Sequence, residues 1–449
     1  GLAYTIDSPI RVAHLGISSV IAITDDEVIE KMRALYCKKI NIPYVEISKK
    51  TFDFRAERIK QYLNLVNQIV NQKFQDFKSE LIENKQSLES YLDILPDGSE
   101  FKSGLRKLYS EGNHLKHQIG NYLNQYLNPG AIDVNIMTKV DRENYDKNEK
   151  LPVAFNDAHA ALRGFAASDL NSSVVLSAGM NPRLFSYFEE FPAFYPDQNG
   201  HLKKKIILKV SDFRSAMIQG NMLAKKGLWV SEYRIESGLN CGGHAFATDG
   251  LLLGPILEEL KEKKTELVTS NYQLLVKALQ SKGLPVPAEL PLKITAQGGV
   301  GTAEEHNFLL EQFNLESIGW GSPFLLVPEA TSVDDETRLL LQKGEEKDFY
   351  LSNISPLGVP FNTIKNTTND LALDKQFDDE GLCTASKKYQ DIKLNDLETN
   401  KLNLSVKAYH QKRNEILEKA CLCVGLANAS YLENDIKVKG QQQGVVICP

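Results

Sequence analysis

The sequence predicts an α/β chain built on a (β/α)8 TIM barrel, with a helical insertion after the second strand and a C-terminal extension. Three observations lead there. Short apolar or β-branched runs alternate with amphipathic helical patterns, as in a parallel sheet with helical crossovers. There are eight such runs. Two glycine-rich loops follow the seventh and eighth of them, where barrels commonly share one phosphate site. An open doubly wound sheet shows the same alternation and is the other topology compatible with it.

The runs in order are PIRVA (9–13), SVIAI (19–23), IDVNIMTK (132–139), SSVVLSAGM (172–180), KKIILKV (204–210), GLWVSEYRI (227–235), LPLKITAQGG (290–299) and SIGWGSPFLLV (317–327). Helical patterns lie between them, at DDEVIEKMRALYCKK, NDAHAALRGFAASDL, SDFRSAMIQGNMLAKK and TAEEHNFLLEQF. Several open on Ser, Thr, Asp or Asn, the residues whose side chains cap the first free N–H groups of a helix. Residues 45–128 repeat apolar side chains at helical spacing, from Tyr62 through Leu81 and again from Leu105 to Tyr122, and read as the insertion. The expected division is a barrel over 1–44 and 129–344, a helical insertion over 45–128, and an extension over 345–449 packed on the barrel through the apolar pattern at 402–428.

At 449 residues and 42% hydrophobic content, the chain can bury a large core. Its formal charge of −6 comes without a basic block that would neutralise a phosphate backbone, so nucleic acid is not an expected partner. No apolar run approaches the roughly 20 residues that span a bilayer. The opening GLAYTIDSPIRVA lacks the basic and apolar regions of a secretory signal, and a cytoplasmic location with no membrane partner is expected. Six cysteines are too few for a disulfide scaffold in a chain of this size. Cys383, Cys421, Cys423 and Cys448 lack the C-x2-C spacing of zinc and iron–sulfur sites; they read as buried thiols, and no metal is expected.

Chemistry concentrates in two segments. In ITAQGGVGTAEEH, residues 294–306, a strand ends on Gly298-Gly299, and Gly301 precedes Thr302, which can cap a helix from Ala303. Consecutive glycines let backbone N–H groups close on an anion, and the helix N-terminus adds partial positive charge. The next strand ends in Gly319-Trp320-Gly321-Ser322, a second small-residue loop with a hydroxyl. A phosphate between these loops is the functional reading; two tight βα turns are the bland one. The second segment is Asn240-Cys241-Gly242-Gly243-His244, after the sixth run. There an imidazole can project over the barrel mouth as a proton acceptor. Cys241 has no evident His–carboxylate partner and reads as lining.

Four places resemble the nitronate monooxygenase (2-nitropropane dioxygenase) family and the related enoyl reductases of polyunsaturated fatty acid synthases, both FMN-dependent TIM barrels. Asp133-Val134-Asn135-Ile136-Met137 is similar to the GVNL-type strand whose Asn lies by the flavin. Cys241-Gly242-Gly243-His244 is similar to the AGGH or SGGH motif with the catalytic His, Ala296-Gln297-Gly298-Gly299-Val300-Gly301 to the phosphate loop, and Gly321-Ser322-Pro323-Phe324 to a GTRF or GS loop. The resemblance spans 132–329, under half the chain. Val12-Ala13-His14-Leu15 stands where the family has an APM-type turn.

The resemblance implies FMN held by Asn135, Gly242, Gly243, Gly298, Gly299, Gly321 and Ser322, with His244 as the proton acceptor or donor; His14, at the end of the expected first strand, is its rival for that role. Lys209, at the end of the fifth run, can set a cation beside the pyrimidine edge of a reduced flavin, and Lys139 and Arg183 are further candidate anion contacts. Ser177–Pro182 is a small-residue loop at the active face. The apolar loop Ser355–Asn362 is a lid or an anchor. The substrate is a small molecule oxidised or reduced at the flavin, or an acyl thioester reduced with NAD(P)H as the source of electrons, in a homo-oligomer or a biosynthetic complex. A flavin-free barrel acting as lyase or isomerase on a phosphorylated metabolite is the alternative from a different class.

Overall fold

In the computed structural model the described residues are 5–23, 25–96, 99–110, 115–136, 141–146, 149–176, 181–236, 253–298, 300–320, 322–352, 361–367 and 434–436. His244, Gly242, Gly243, Gly299, Gly321, Cys241, Lys139, the stretches 177–180, 353–360 and 402–428, and Cys383, Cys421, Cys423 and Cys448 lie outside them.

Seven strands form one parallel sheet: β1 (Ser19–Ile23), β2 (Ile132–Ile136), β3 (Ser172–Leu176), β4 (Lys204–Val210), β5 (Val230–Ile235), β6 (Lys293–Gln297) and β7 (Ser317–Gly319). Each lies beside its successor in the chain, the order expected of a barrel rather than of a doubly wound sheet. Among the described residues β1 and β7 are not paired, so the sheet curls into a half-barrel and does not close.

The expected first strand, 9–13, is instead helix α1 (Ser8–Val12). Ile6, Ile10 and Ala13 fall on one face at helical spacing and all enter the main core. Pro9 sits in the first turn, where its missing N–H costs nothing. The helix is latched to the segment after β7: Arg11 Nη1 donates to Pro328 O at 2.6 Å, and Ser8 Oγ donates to Ala330 O. Buried Asp7 accepts from Arg11, from Tyr36 OH at 2.7 Å and from Ser332 Oγ at 2.9 Å.

Side-chain caps start several of the crossover helices where the sequence placed them, whereas Asn156, before the helix that begins at Asp157, makes no cap hydrogen bond. Asp25 accepts from Glu27 N for α2 (Asp26–Lys39), and Asp212 from Ser215 N for α9 (Phe213–Ala224). The 45–128 region holds α3 (Phe54–Glu83), α4 (Lys85–Ile94), α5 (Glu100–Ser110) and α6 (Leu115–Tyr126). Its apolar residues divide between two clusters. Ile59, Tyr62, Leu63, Val66 and Ile69 of α3 join the core of the sheet, whereas Phe74 and Leu81 pack with Leu88, Tyr91, Leu105, Ile119 and Leu123 in a cluster of their own. The first half of α3 therefore covers the sheet beside α7 (Asp157–Ala166), where Gly164 permits close approach: a Cβ there would stand 2.6 Å from Ala56 O. Helices α10 (Leu253–Glu262) and α11 (Lys264–Ser281) lie between β5 and β6 and α12 (Ala303–Phe313) between β6 and β7; beyond β7 come α13 (Asp335–Lys343) and an antiparallel hairpin of β8 (Phe349–Ser352) and β9 (Phe361–Ile364). Ile364 and Ile436 of the extension are buried in the main core.

The parallel register sorts the sheet into two faces. Ile21, Val134, Val174, Ile206, Leu208, Tyr233, Ile294 and Ile318 share the convex face, and all of them pack in one cluster with the helices. The concave face carries Ala22, Asn135, Val175 and Ile207, then Lys209, Arg234 and Thr295.

Candidate functional site

The concave face is polar where a filled barrel interior is usually branched and apolar. Its charge comes mostly from β5, and a β-bulge puts it there. Ile206 pairs with Val230 but Ile207 pairs with Glu232, so Ser231 is an extra residue in the strand. One inserted residue exchanges the faces of everything after it. Tyr233 and Ile235 turn to the helices, and Glu232 and Arg234 turn inward. Glu236 continues the ladder, its N–H donating to Val210 O at 3.0 Å, so three charges at a spacing of two line the interior.

These charges are paired. Arg234 Nε donates to Glu232 Oε1 at 2.8 Å, and Thr295 Oγ1 donates to the same oxygen at 2.6 Å. Lys209 Nζ lies 3.2 Å from Glu236 Oε2, with side chains 11% and 15% exposed. Asp133 of β2 accepts from Ser173 N at 2.8 Å. Burial pushes its carboxyl above the usual range and nearby Glu232 adds to the rise, against the Ser173 N–H and the charge of Arg234.

Asn135 stands between Ala22 and Val175 in the same layer and is 1% exposed. Its Oδ1 has no hydrogen-bond partner among the described residues. A buried acceptor left unmet costs about 1–3 kcal/mol, so this oxygen is a place where a ligand donor would be welcomed.

The two glycine loops do meet. Gly298, with φ 76°, follows β6, and its N–H donates to Gly319 O at 3.1 Å; Trp320 Nε1 donates to His306 Nδ1 at 2.8 Å. They follow the sixth and seventh strands of the sheet, because the expected first strand is a helix. Thr302 caps α12 (Ala303–Phe313) as expected, in a capping box with Glu305. That box corrects one assumption about the phosphate loop. The N–H groups of Gly301 and Thr302 both donate to Glu305 Oε2, at 2.7 and 3.1 Å, so an internal carboxylate already takes two of the donors. Ser322 opens a short 3-10 turn, Ser322–Leu326.

Lys209 and Asn135 thus share a face, but Lys209 is not a free cation. Arg183 is exposed at the start of α8 (Pro182–Tyr187). Asn362 and Phe361 belong to β9, paired with Leu351 and Ser352. His14 lies at the opposite end of the sheet, in the turn before β1, edge-on to Phe77 at 5.7 Å. Burial, with Lys73 nearby, lowers its pKa to about 4. It is an uncharged packing residue and no rival for proton transfer at the strand C-terminal ends.

The sequence reading missed Glu232, Arg234 and Glu236, although their period of two inside an otherwise apolar strand was a visible signal. It also passed over His159 of α7, buried with Nδ1 2.9 Å from Asp141 Oδ2 in the loop after β2. Burial raises the Asp141 pKa, but the imidazole, the Asn156 amide and the Ala158 N–H outweigh it and hold the carboxyl below the usual range. Among the described residues no cluster of His, Cys, Asp and Glu could hold a metal, and no helix is long and apolar enough to cross a membrane.

No family model matches the chain, and no curated protein does. The resemblance to nitronate monooxygenases therefore rests on its four segments alone. Among solved structures the chain is similar to the enoyl reductase domain of MlnA from the macrolactin biosynthesis cluster of Bacillus amyloliquefaciens, at 14% identity and a TM-score of 0.35 over 78% of each chain. A likeness of that depth assigns neither fold nor activity to this one.

Proposed function

We propose that this chain is an FMN-dependent oxidoreductase whose flavin ring lies against the concave face of the sheet, near the C-terminal ends of its strands. The observation that carries this reading is the unmet Oδ1 of Asn135. A buried acceptor between Ala22 and Val175 suits the N–H on the pyrimidine edge of the ring, and the motif resemblance gives that Asn the same task. FMN, when bound, supplies two-electron chemistry that no side chain here can perform.

The chain's own residues would divide the rest of the work. Gly298, Gly299, Gly321 and Ser322 would receive the phosphate. Because Glu305 already engages Gly301 and Thr302, the first two glycines matter more than the helix N-terminus. Gly242 and Gly243 would let the backbone approach the ring, and His244 would take a proton from the substrate or give one to it. The substrate is a nitronate-like carbanion, which is oxidised, or an enoyl thioester, which is reduced at the expense of NAD(P)H.

The test is the visible spectrum of the purified protein, followed by denaturation and mass measurement of what is released. FMN is the expected product. A colourless protein that takes up no FMN on reconstitution overturns the reading and leaves the flavin-free lyase or isomerase in its place. With FMN bound, His244→Asn should keep the flavin and slow its anaerobic reduction by substrate at least about a hundredfold; an unchanged rate removes His244 from the chemistry.

A further inference from the structure

We infer that Glu236 sets the direction of electron flow at this site: by cancelling the charge of Lys209, it denies a reduced, anionic cofactor its cation and biases the enzyme toward giving electrons to its substrate. The inference rests on the FMN reading above. Glu236 belongs to none of the motifs; it is assigned from the bulge at Ser231, the ladder contact to Val210 and the pairing with Lys209.

Fully reduced flavin readily loses a proton from its pyrimidine side and becomes an anion. A cation at that edge stabilises the reduced form over the oxidised one, and only such a difference in affinity shifts the equilibrium between the two. Lys209 stands on the same face as Asn135, where it could act as that cation. Its ammonium is 3.2 Å from the Glu236 carboxylate, however, and both side chains are nearly buried. Away from water the attraction is strong, and from the position of a ligand the two charges largely cancel. Among the described residues nothing else on the face supplies the missing charge. Arg234 is tied to Glu232, and Asp133, Glu232 and Glu236 stand against Lys209 and Arg234.

A site that does not favour the reduced anion passes its electrons on. This is the need of the reducing branch of the proposed function. There the C4–H bond of a reduced nicotinamide and the π bond of a C=C conjugated to a carbonyl are broken. The β-carbon gains the hydride equivalent, the α-carbon gains a proton, and the nicotinamide leaves oxidised.

The test is the midpoint potential of FMN on the full chain, with wild type, Glu236→Gln, Lys209→Gln and the double variant compared. Glu236→Gln frees the ammonium and should hold reduced FMN at least about tenfold more tightly relative to oxidised FMN, a rise of about 30 mV for a two-electron couple. Lys209→Gln should move the ratio the other way, which keeps the test alive if Glu236→Gln fails to fold. The double variant should return to within about threefold of wild type, as two partners of one neutral pair must. An unchanged ratio in Glu236→Gln, or a double variant that keeps the whole rise, overturns the inference while the FMN reading stands. Failure of the wild type to bind FMN overturns both.

Discussion

The two faces of the sheet solve opposite problems with the same backbone. On the convex face, Val134, Leu208, Tyr233 and Ile235 are buried among helices, and their energetics are those of ordinary packing. On the concave face of the same strands lie Asp133, Asn135, Lys209, Glu232 and Arg234, in places where apolar side chains would have been cheaper. Buried ion pairs contribute little net stability, because the cost of removing them from water offsets their attraction. A fold that keeps several in one layer is not held together by them. The difference separates the residues that make this protein fold from those the proposed site would use, and β5 carries both kinds of residue in alternation.

The severest test of that separation is the bulge. Exchanging the two neighbours after the bulge (Glu232→Tyr with Tyr233→Glu) would set an unpaired carboxylate among the helices and turn the ring inward, the arrangement the strand would have if Ser231 took a regular place in the ladder. We expect no cooperative unfolding transition in the exchange variant. A melting temperature within a few degrees of wild type would show that the faces are not fixed by register. Next in size is truncation of Tyr233, which is 0% exposed and whose OH accepts from Asn271 Nδ2 at 2.6 Å. Tyr233→Ala should cost about 3–5 kcal/mol in urea unfolding, as for other large aromatic truncations. On the other face, the double change Glu232→Leu with Arg234→Met should be neutral or stabilising by about 1–4 kcal/mol. Equal losses on the two faces would erase the contrast.

Lys204 breaks the pattern from the convex side and so sharpens it. Its ammonium donates to Ser168 O at 3.1 Å, to Ser168 Oγ at 3.0 Å and to Leu170 O, and stands 4.3 Å above the ring of Phe165. Burial, with Lys203 adding to it and Asp169 opposing, pushes its pKa from 10.5 down to about 7. Between about pH 7 and 10.5 the unfolded chain keeps the proton that the folded chain has given up. Stability therefore rises with pH across that window, and this contribution is lost again as pH falls through about 7. Relative to Lys204→Met, the wild type should gain up to about 1.4 kcal/mol per pH unit there. Parallel pH profiles would mean that the three acceptors hold the ammonium charged throughout.

Much of the convex architecture was legible because it depends on local pattern. SVIAI and KKIILKV coincide with β1 and β4, residue for residue. PIRVA misled because the window began at Pro9. Ile10 and Val12 alternate with Arg11 like a strand, and only Ile6, outside the window, reveals the spacing of a helix. The concave face was harder. Asn135 could be picked out by motif, but no local rule reports that Ser231 is a bulge, and without it Glu232 and Arg234 would share a face with Val230. The pattern Thr302-Ala303-Glu304-Glu305 was readable as a capping box; the phosphate reading gave its amides to a ligand when Glu305 had already claimed them.

The smallest expected change in stability accompanies the most direct test of the central claim, that the concave face is a flavin site. Asn135→Leu keeps the shape of the side chain and removes the unmet acceptor, so the ligand-free protein should gain about 1 kcal/mol, the lower end of the cost of an unsatisfied buried group. Binding of FMN, followed by the quenching of its fluorescence as protein is added, should saturate at one flavin per chain in wild type and weaken at least about tenfold in Asn135→Leu, the equivalent of about 1.4 kcal/mol. Equal affinity in the two proteins, or no binding to either, would contradict it.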